Sequence, residues 1–387
     1  MPPDEAPASQ SFLADTTHRL NLTDSELVGA GLARRQQLCD QFTAMMVDLE
    51  TLPAQQHFRI VRRLGRGRQG IVLEAANRGY LDCTTRHALK FFDPSLFAGN
   101  RTYDVDMVRI ARQVSVLQQL YHPNLVQCES FHEHAGIGVL VMELIDGIDI
   151  RNLLDQPSHR ALAAALPAAE WTHFNSVIFA PEQLAIQPGV AIYLLRNMLR
   201  GLEILHRTGY IHCDIKPSNV MIDRFGTAKL IDFGRATRVN DAGDNFLASP
   251  MYMAPELHRR EALSPLCDLY SCGIVVLEML HGDPLIDQYS TEPSIIEFKK
   301  NLPGQIGDFL PGHLRRNRQL LTVLNKLLAA NPADRYRNAH EADAGAEGAR
   351  IIHRQLAKVD LDADYGLELE NYLARRLPRS SLRSRDP

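Results

Sequence analysis

The segment Leu64-Gly65-Arg66-Gly67-Arg68-Gln69-Gly70-Ile71-Val72 sets three glycines in G-x-G-x-x-G order and then runs straight on into β-branched residues. Without Cβ atoms, a hairpin of this composition brings backbone N–H groups against the oxygens of an anion. In dinucleotide-binding folds a similar fingerprint opens a helix, whereas here a strand continues, which excludes a βαβ dinucleotide unit at this place. His87-Ala88-Leu89-Lys90 follows, with Phe91 and Phe92 beyond it. An ammonium group on so apolar a strand needs an anionic partner, and phosphate is the natural one. Gly65, Gly67, Gly70 and Lys90 are therefore the first candidates for a phosphate site.

The surrounding periodicity divides the chain. Residues 57–76 and 86–92 alternate like strands, 104–120 repeat like a helix, and 138–144 form another strand before the Asp146-Gly147 turn. Beyond Arg151 most of the chain has helical spacing, so a small sheet lobe precedes a large helical lobe. Residues 155–189, with several prolines and the single tryptophan Trp171, read as an irregular insert. Residues 1–22 read as a flexible arm and 23–57 as a helical extension opened by the capping pattern Thr23-Asp24-Ser25-Glu26. Leu38, Phe42, Met45, Leu49 and Leu52 share one face of that extension. Two heptads are too few for a coiled coil, so the helix is expected to dock on the next domain, with a regulatory partner or a dimer through it as the alternative. Residues 341–377 read as a C-terminal helical extension and 378–387 as a basic, disordered tail.

Bulk properties narrow the partners. A net charge of −4 over 387 residues gives no reason to expect nucleic acid. The six cysteines are scattered without a C-x-x-C pair, as expected of reduced thiols. No apolar run is long enough for a transmembrane segment, and the acidic start is unlike a secretory signal, so a cytoplasmic location is expected.

Further along, Ile211-His212-Cys213-Asp214-Ile215-Lys216-Pro217-Ser218-Asn219-Val220 is followed by Leu230-Ile231-Asp232-Phe233-Gly234 and then by Met253-Ala254-Pro255-Glu256. With the glycine-rich segment and Lys90 upstream, this ordered set resembles the eukaryotic-like (Hanks-type) protein serine/threonine kinase family, over residues 58–340. The resemblance implies an α+β, bilobal protein-kinase fold. A small antiparallel β-sheet N-lobe with the helix the family calls αC would span 58–145, and a large, mainly helical C-lobe 146–340, both flanked by the helical extensions.

It also implies roles. Asp214 would be the catalytic aspartate that orients and deprotonates the attacking hydroxyl, and Asn219 and Asp232 would hold Mg²⁺ on ATP. Lys216 would contact the transferred phosphoryl group, and Ser249 would bond Asp214 and Lys216, the mark of an alcohol acceptor. Met142 would be the gatekeeper, the Glu143 carbonyl and Ile145 N–H would face adenine, and Val72, Ala88 and Met221 would sandwich it. Asp149 would contact ribose. Glu256 with Arg335, and Asp268, would be structural supports. The expected reaction is ATP-dependent transfer of the γ-phosphoryl group to serine or threonine of a protein substrate, with the tail serines Ser380, Ser381 and Ser384 as candidate acceptors within the chain.

Three positions depart from the family. Counting back from His122-Pro123-Asn124 puts Gln113 where αC should carry a glutamate that pairs with Lys90, and Asp106 lies two turns away. A neutral acceptor in place of a carboxylate implies a rate lower by about tenfold. Cys213 replaces an arginine that binds activation-loop phosphate, and Gln69 replaces an aromatic residue at the tip of the glycine-rich loop. Gln113 supports one rival reading, a pseudokinase that binds nucleotide as a scaffold; a small-molecule kinase is the other, disfavoured by Ser249 and Ala254-Pro255-Glu256.

Overall fold

Alternating apolar residues and a glycine at the tightest approach build the first sheet. In a computed structural model, the structure describes residues 24–47, 58–97, 103–165, 167, 176–179, 185–239, 249–286, 290–359 and 364–377. Strands β1 (Phe58–Gly67), β2 (Gly70–Arg78), β3 (Thr84–Phe92), β4 (Cys128–His134) and β5 (Ile137–Glu143) form an antiparallel sheet in the order β1-β2-β3-β5-β4. Of the three glycines at the hairpin, Gly70 is the one packing demands, since a Cβ there would lie 1.8 Å from the Phe91 carbonyl oxygen. Cβ atoms at Gly65 and Gly67 would meet nothing within 4 Å.

Helix α2 (Tyr103–Leu117) covers this sheet with Ile110, Gln113, Val114 and Leu117 buried. Its start is pinned by Tyr103, whose hydroxyl donates to the Phe92 carbonyl (3.1 Å) and accepts from the Gly138 N–H (2.8 Å). Helix α1 (Asp24–Val47) buries Leu38 and Phe42 in the same core, and Leu38 lies so close to the β4–β5 turn that a Cβ on Gly136 would sit 2.6 Å from its methyl group. Gly136 also holds φ +80°, a second reason for glycine there.

The helical lobe is organised on α3 (Pro188–Arg207) and α4 (Leu266–His281), the latter buried from Cys267 to Leu280. A three-stranded sheet of β6 (Gly147–Asp149), β7 (Val220–Asp223) and β8 (Ala228–Leu230), in the order β8-β7-β6, lies at the junction of the lobes. The Asn124 amide bonds the Asn197 side chain (2.5 Å) and the Ala228 carbonyl (2.8 Å), so the His122-Pro123-Asn124 turn is fixed to both α3 and this sheet. Helix α5 (Glu292–Gln305) lies further along the lobe.

One stretch differs from its sequence-based expectation. The insert holds a helix, Gln156–Ala165, and a short pairing of Ile178–Phe179 with Ala185–Ile186, so it is not wholly irregular. The described residues of the C-terminal region form three helices, Ala339–Ala344, Ala349–Val359 and Tyr365–Arg376. The first break falls at Gly345 and Gly348, where a Cβ on Gly348 would meet three carbonyl oxygens at 2.8 Å. These helices pack on α3, with Tyr365 against Gly189 and Arg196 paired to Asp343 at 2.7 Å. The N-terminal arm, the cap at Thr23, Leu49 and Leu52, Trp171, and the tail with Ser380, Ser381 and Ser384 lie outside the described residues. Among the described residues no helix is long and apolar enough to cross a membrane, and the six cysteines are free thiols.

Candidate active site

The loop between Ile211 and Val220 is held from below by Asp268 on α4. Its Oδ2 accepts from the His212 N–H (2.8 Å) and lies 2.8 Å from His206 Nε2, while Oδ1 accepts from the Cys213 N–H (2.9 Å). Burial pushes the Asp268 carboxyl up, but the bonds from His206 and the backbone overcome it and hold its pKa below the usual range. Cys213 takes a left-handed backbone, φ +66°, that non-glycine residues adopt at local energetic cost. His212 accepts from the Asp214 N–H at Nδ1 (3.3 Å), which leaves Nε2–H to donate to the Ile231 carbonyl (3.1 Å).

Asp214 is the hub of this loop. Lys216 Nζ donates to its Oδ2 (2.6 Å), Ser249 Oγ to its Oδ1 (2.8 Å), and Asn219 Nδ2 to its Oδ2 (3.0 Å) and backbone carbonyl (2.8 Å). Lys216 also reaches Ser249 Oγ at 3.5 Å. The structure thus brings together Asp214, Lys216, Asn219 and Ser249. It adds Arg235, whose Nη1 lies 3.5 Å from Asp214 Oδ1.

Lys90 and Asp232 meet across the cleft, Nζ to Oδ1 at 2.5 Å. Burial would raise the Asp232 carboxyl, yet the Lys90 ammonium, with Lys216 and the Gly234 N–H, holds it down at about 2. Asp232 has φ +61° and caps the short turn Phe233–Arg235 by accepting from Gly234 N–H. Lys90 donates equally to Gln69 Oε1 (2.9 Å), and Gln69 Nε2 donates to the Gly234 carbonyl (3.1 Å). The tip of the glycine-rich loop is thereby tied to the Asp232-Phe233-Gly234 turn.

Cross-strand pairing puts Val72 opposite Lys90, and Ala88 opposite Met142, so these four side chains share the sheet face that carries the lysine. Met221 pairs with Asp149 in the β6–β7 register. The Glu143 carboxylate is turned to Lys229 (2.9 Å) and the Gln127 N–H (2.8 Å), and its backbone N–H donates to the Gln127 carbonyl (3.0 Å). Asp149 serves as a helix cap, accepting from the Asn152 N–H (2.7 Å) and the Asn152 amide (2.8 Å). Arg335 and Glu256 form a buried bidentate pair, both contacts at 2.7 Å.

The sequence profile of the protein kinase domain matches residues 58–343. The chain belongs to the protein kinase domain family. The serine/threonine-protein kinase PknD of Mycobacterium tuberculosis is 27% identical over 305 residues, 77% of this chain and 40% of that protein. Cell division control protein 7 of Schizosaccharomyces pombe is 29% identical over 195 residues, 50% of this chain and 16% of that protein. The crystal structure of the M. tuberculosis PknI kinase domain has the same fold, with a TM-score of 0.50 and 23% identity, covering 74% of this chain and 93% of that one. The chain spans two fifths or less of the length of these two curated relatives.

Within this kinase domain one expectation is overturned. Gln113 does not serve Lys90 as a neutral acceptor: its side-chain Nε2 donates to the Phe233 carbonyl, and Lys90 turns to Asp232 and Gln69. The Asp232 carboxylate is the stronger acceptor for the ammonium, and the second bond goes to the Gln69 amide oxygen, since the Gln113 amide is committed to the Asp232-Phe233-Gly234 turn. Arg109, one turn before Gln113, donates to the Gly234 carbonyl (3.0 Å), while Asp106 is taken by Arg109 at 3.5 Å. Sequence reading missed the contacts of Arg109 and Arg235. Gln69 carried a visible signal, a polar residue at a loop tip that the family often fills with an aromatic one.

Proposed function

We propose that this chain is an ATP- and Mg²⁺-dependent protein serine/threonine kinase. The observation that carries the reading is the constellation on Asp214: Lys216 at 2.6 Å, Ser249 at 2.8 Å and Asn219 at 3.0 Å from its carboxylate. An acceptor hydroxyl presented to Asp214 is oriented by the carboxylate, which takes its proton, while Lys216 stands by to stabilise negative charge on the transferred group.

The residues present fit the nucleotide and the metal. Asn219 commits its amide nitrogen to Asp214, so its amide oxygen is left to meet a cation, and the acidic Asp232 is ionised throughout the physiological range. Two hard oxygen donors of this kind suit Mg²⁺ shared with phosphates. The open space beside Gly65 and Gly67 gives phosphate oxygens room against the loop. When bound, ATP–Mg²⁺ supplies the phosphoryl group and neutralises its charge. Val72, Ala88, Met142 and Met221 would frame the adenine, the Glu143 and Ile145 backbone would recognise its edge, and Asp149 would lie at the ribose. Six free thiols suit a reducing compartment such as the cytoplasm.

The deciding experiment is phosphate transfer from labelled ATP with Mg²⁺ to dephosphorylated casein. Asp214→Ala should lower the rate by ~10²–10⁴ with ATP affinity retained. Equal rates in the two proteins would overturn the reading. A second reading, a nucleotide-binding scaffold without turnover, is favoured by the absence of a carboxylate from α2 beside Lys90. It would be supported by Mg²⁺-dependent ATP binding without transfer to any acceptor or to the chain itself.

A further inference from the structure

Lys299 lies on α5, outside the cleft, and is wholly buried. None of its contacts among the described residues is an ion pair. Its ammonium donates to the Pro250 carbonyl and to the Met253 carbonyl, both at 2.5 Å, and lies 3.0 Å from His258 Nε2. Neutral His258 has one ring N–H, and its Nε2 is also 3.2 Å from the Pro250 carbonyl, so Nε2 accepts from Lys299 in one tautomer and donates to Pro250 in the other. Burial, then the neighbouring Lys299, lowers the His258 pKa, which agrees with the neutral state.

A leucine or methionine would fill this volume without the desolvation penalty of a charge. What the lysine adds is a grip on two carbonyls of one turn. That turn begins at Ser249, bonded to Asp214, and runs to Glu256, bonded to Arg335. Its opposite side is held by Ser271 Oγ on the Tyr252 carbonyl (2.7 Å) and by the Tyr252 hydroxyl on Glu278 (3.0 Å). The stretch Pro250–Met253 is thus fastened from α4 and from α5 and starts at the acceptor end of the cleft.

We propose that Lys299 is a positioning residue that sets the shape of the Pro250–Met253 turn on which the acceptor segment of a protein substrate docks. This rests on the kinase reading above. Charged Lys299 makes charge-assisted bonds to both carbonyls. The neutral amine keeps two hydrogens for them but not the charge, and both ties weaken. The titratable and charged groups around it are Glu256 and His258 from the helical turn Pro255–His258, Glu292 from its own helix α5, Arg335 behind Glu256, and Glu278 through Tyr252. Burial lowers Lys299 to about 7, with Glu256 working against the shift, so the grip weakens as pH rises through that value.

The test compares the full chain with Lys299→Met and Glu278→Gln, using dephosphorylated casein as acceptor from pH 6 to pH 8.5. Losing a charge-assisted hydrogen bond shifts an equilibrium by about tenfold or more. Lys299→Met should therefore raise the KM for casein about tenfold at the acid end while the ATP Kd stays within about twofold. In the wild type the casein KM should rise as pH passes about 7; in Lys299→Met it should be high and flat, and in Glu278→Gln the rise should persist. An unchanged casein KM in Lys299→Met, or a rise that vanishes in Glu278→Gln instead, overturns the proposal. Hydrogen-exchange protection at residues 250–257 needs no turnover, and Glu278→Gln separates the two groups that titrate near 7 on this turn. Protection that falls above about pH 7 in the wild type and in Glu278→Gln supports the clamp, and protection constant with pH, or a fall that vanishes in Glu278→Gln, overturns it. A wild type that transfers no phosphate to casein would count against the kinase reading, and the exchange result would still decide on Lys299.

Discussion

Gln113 donates its side-chain amide to the Phe233 carbonyl, so helix α2 is tied to the Asp232-Phe233-Gly234 turn and not to Lys90. Arg109, four residues earlier and on the same helical face, makes the equivalent bond to the Gly234 carbonyl at 3.0 Å. The helix therefore offers donors where an acid would have offered an acceptor. Two consequences follow for the lysine. It draws its negative partner from Asp232 at 2.5 Å, and its second acceptor from Gln69 at 2.9 Å, on the glycine-rich loop itself.

Any phosphate that approaches Lys90 must compete with Gln69. A protein whose ligand-competent state is only partly populated binds with an affinity reduced by that fraction. Gln69→Ala removes both the acceptor on Lys90 and the donor on the Gly234 carbonyl, and should tighten ATP binding by about threefold to tenfold. Isothermal calorimetry with Mg²⁺ reads this directly. Weaker binding in Gln69→Ala would mean that the amide helps to hold the nucleotide, and the competition argument would fail.

Arg335 and Glu256 make two contacts of 2.7 Å at side chains 0% and 2% exposed, and Arg335 also bonds the carbonyls of Ala329 (2.8 Å) and Leu266 (2.9 Å). Removing Arg335 leaves the Glu256 carboxylate buried without its hydrogen-bonded countercharge. Arg335→Ala should lower the unfolding free energy by ~3–5 kcal/mol, read as a lower denaturant midpoint. A loss under about 1 kcal/mol would put the pair in the class of solvent-screened surface contacts.

How far the sequence could be read depended on whether position along the chain determines the contact. The strand through Val72 and the face shared by Ala88 and Lys90 follow from alternation, because side chains two apart in a strand lie on one side of the sheet. The α2 face that carries Gln113 likewise follows from helical spacing, but spacing names the face and not the partner. That partner depended on which carbonyl the Asp232-Phe233-Gly234 turn presents, a consequence of the left-handed backbone at Asp232. Lys299 was invisible for a related reason: a lysine in the pattern Phe298-Lys299-Lys300 reads as solvated, and only the fold shows two carbonyls and an imidazole waiting for it. The pairing of Ile178–Phe179 with Ala185–Ile186 is two residues long on each side, too short for alternation to register.

Glu278, buried on α4, accepts from the Tyr252 hydroxyl at 3.0 Å and from the Leu285 N–H at 3.2 Å. Burial raises its carboxyl to about 7, against the pull of those bonds and of Arg151. The unfolded chain would bind this proton only near the ordinary glutamate value of ~4.3. Between those two values the folded state holds more protons than the unfolded one, so the contribution of Glu278 is fully present below the unfolded pKa and is lost as pH rises towards 7. Glu278→Gln keeps a polar group beside Tyr252 and cannot ionise. Thermal unfolding followed by circular dichroism should show the variant matching the wild type near pH 5 and exceeding it at pH 8. A Tm difference that does not change over that range would show that Glu278 keeps the same charge throughout it, and that the Tyr252 bond is made to one fixed form of the acid.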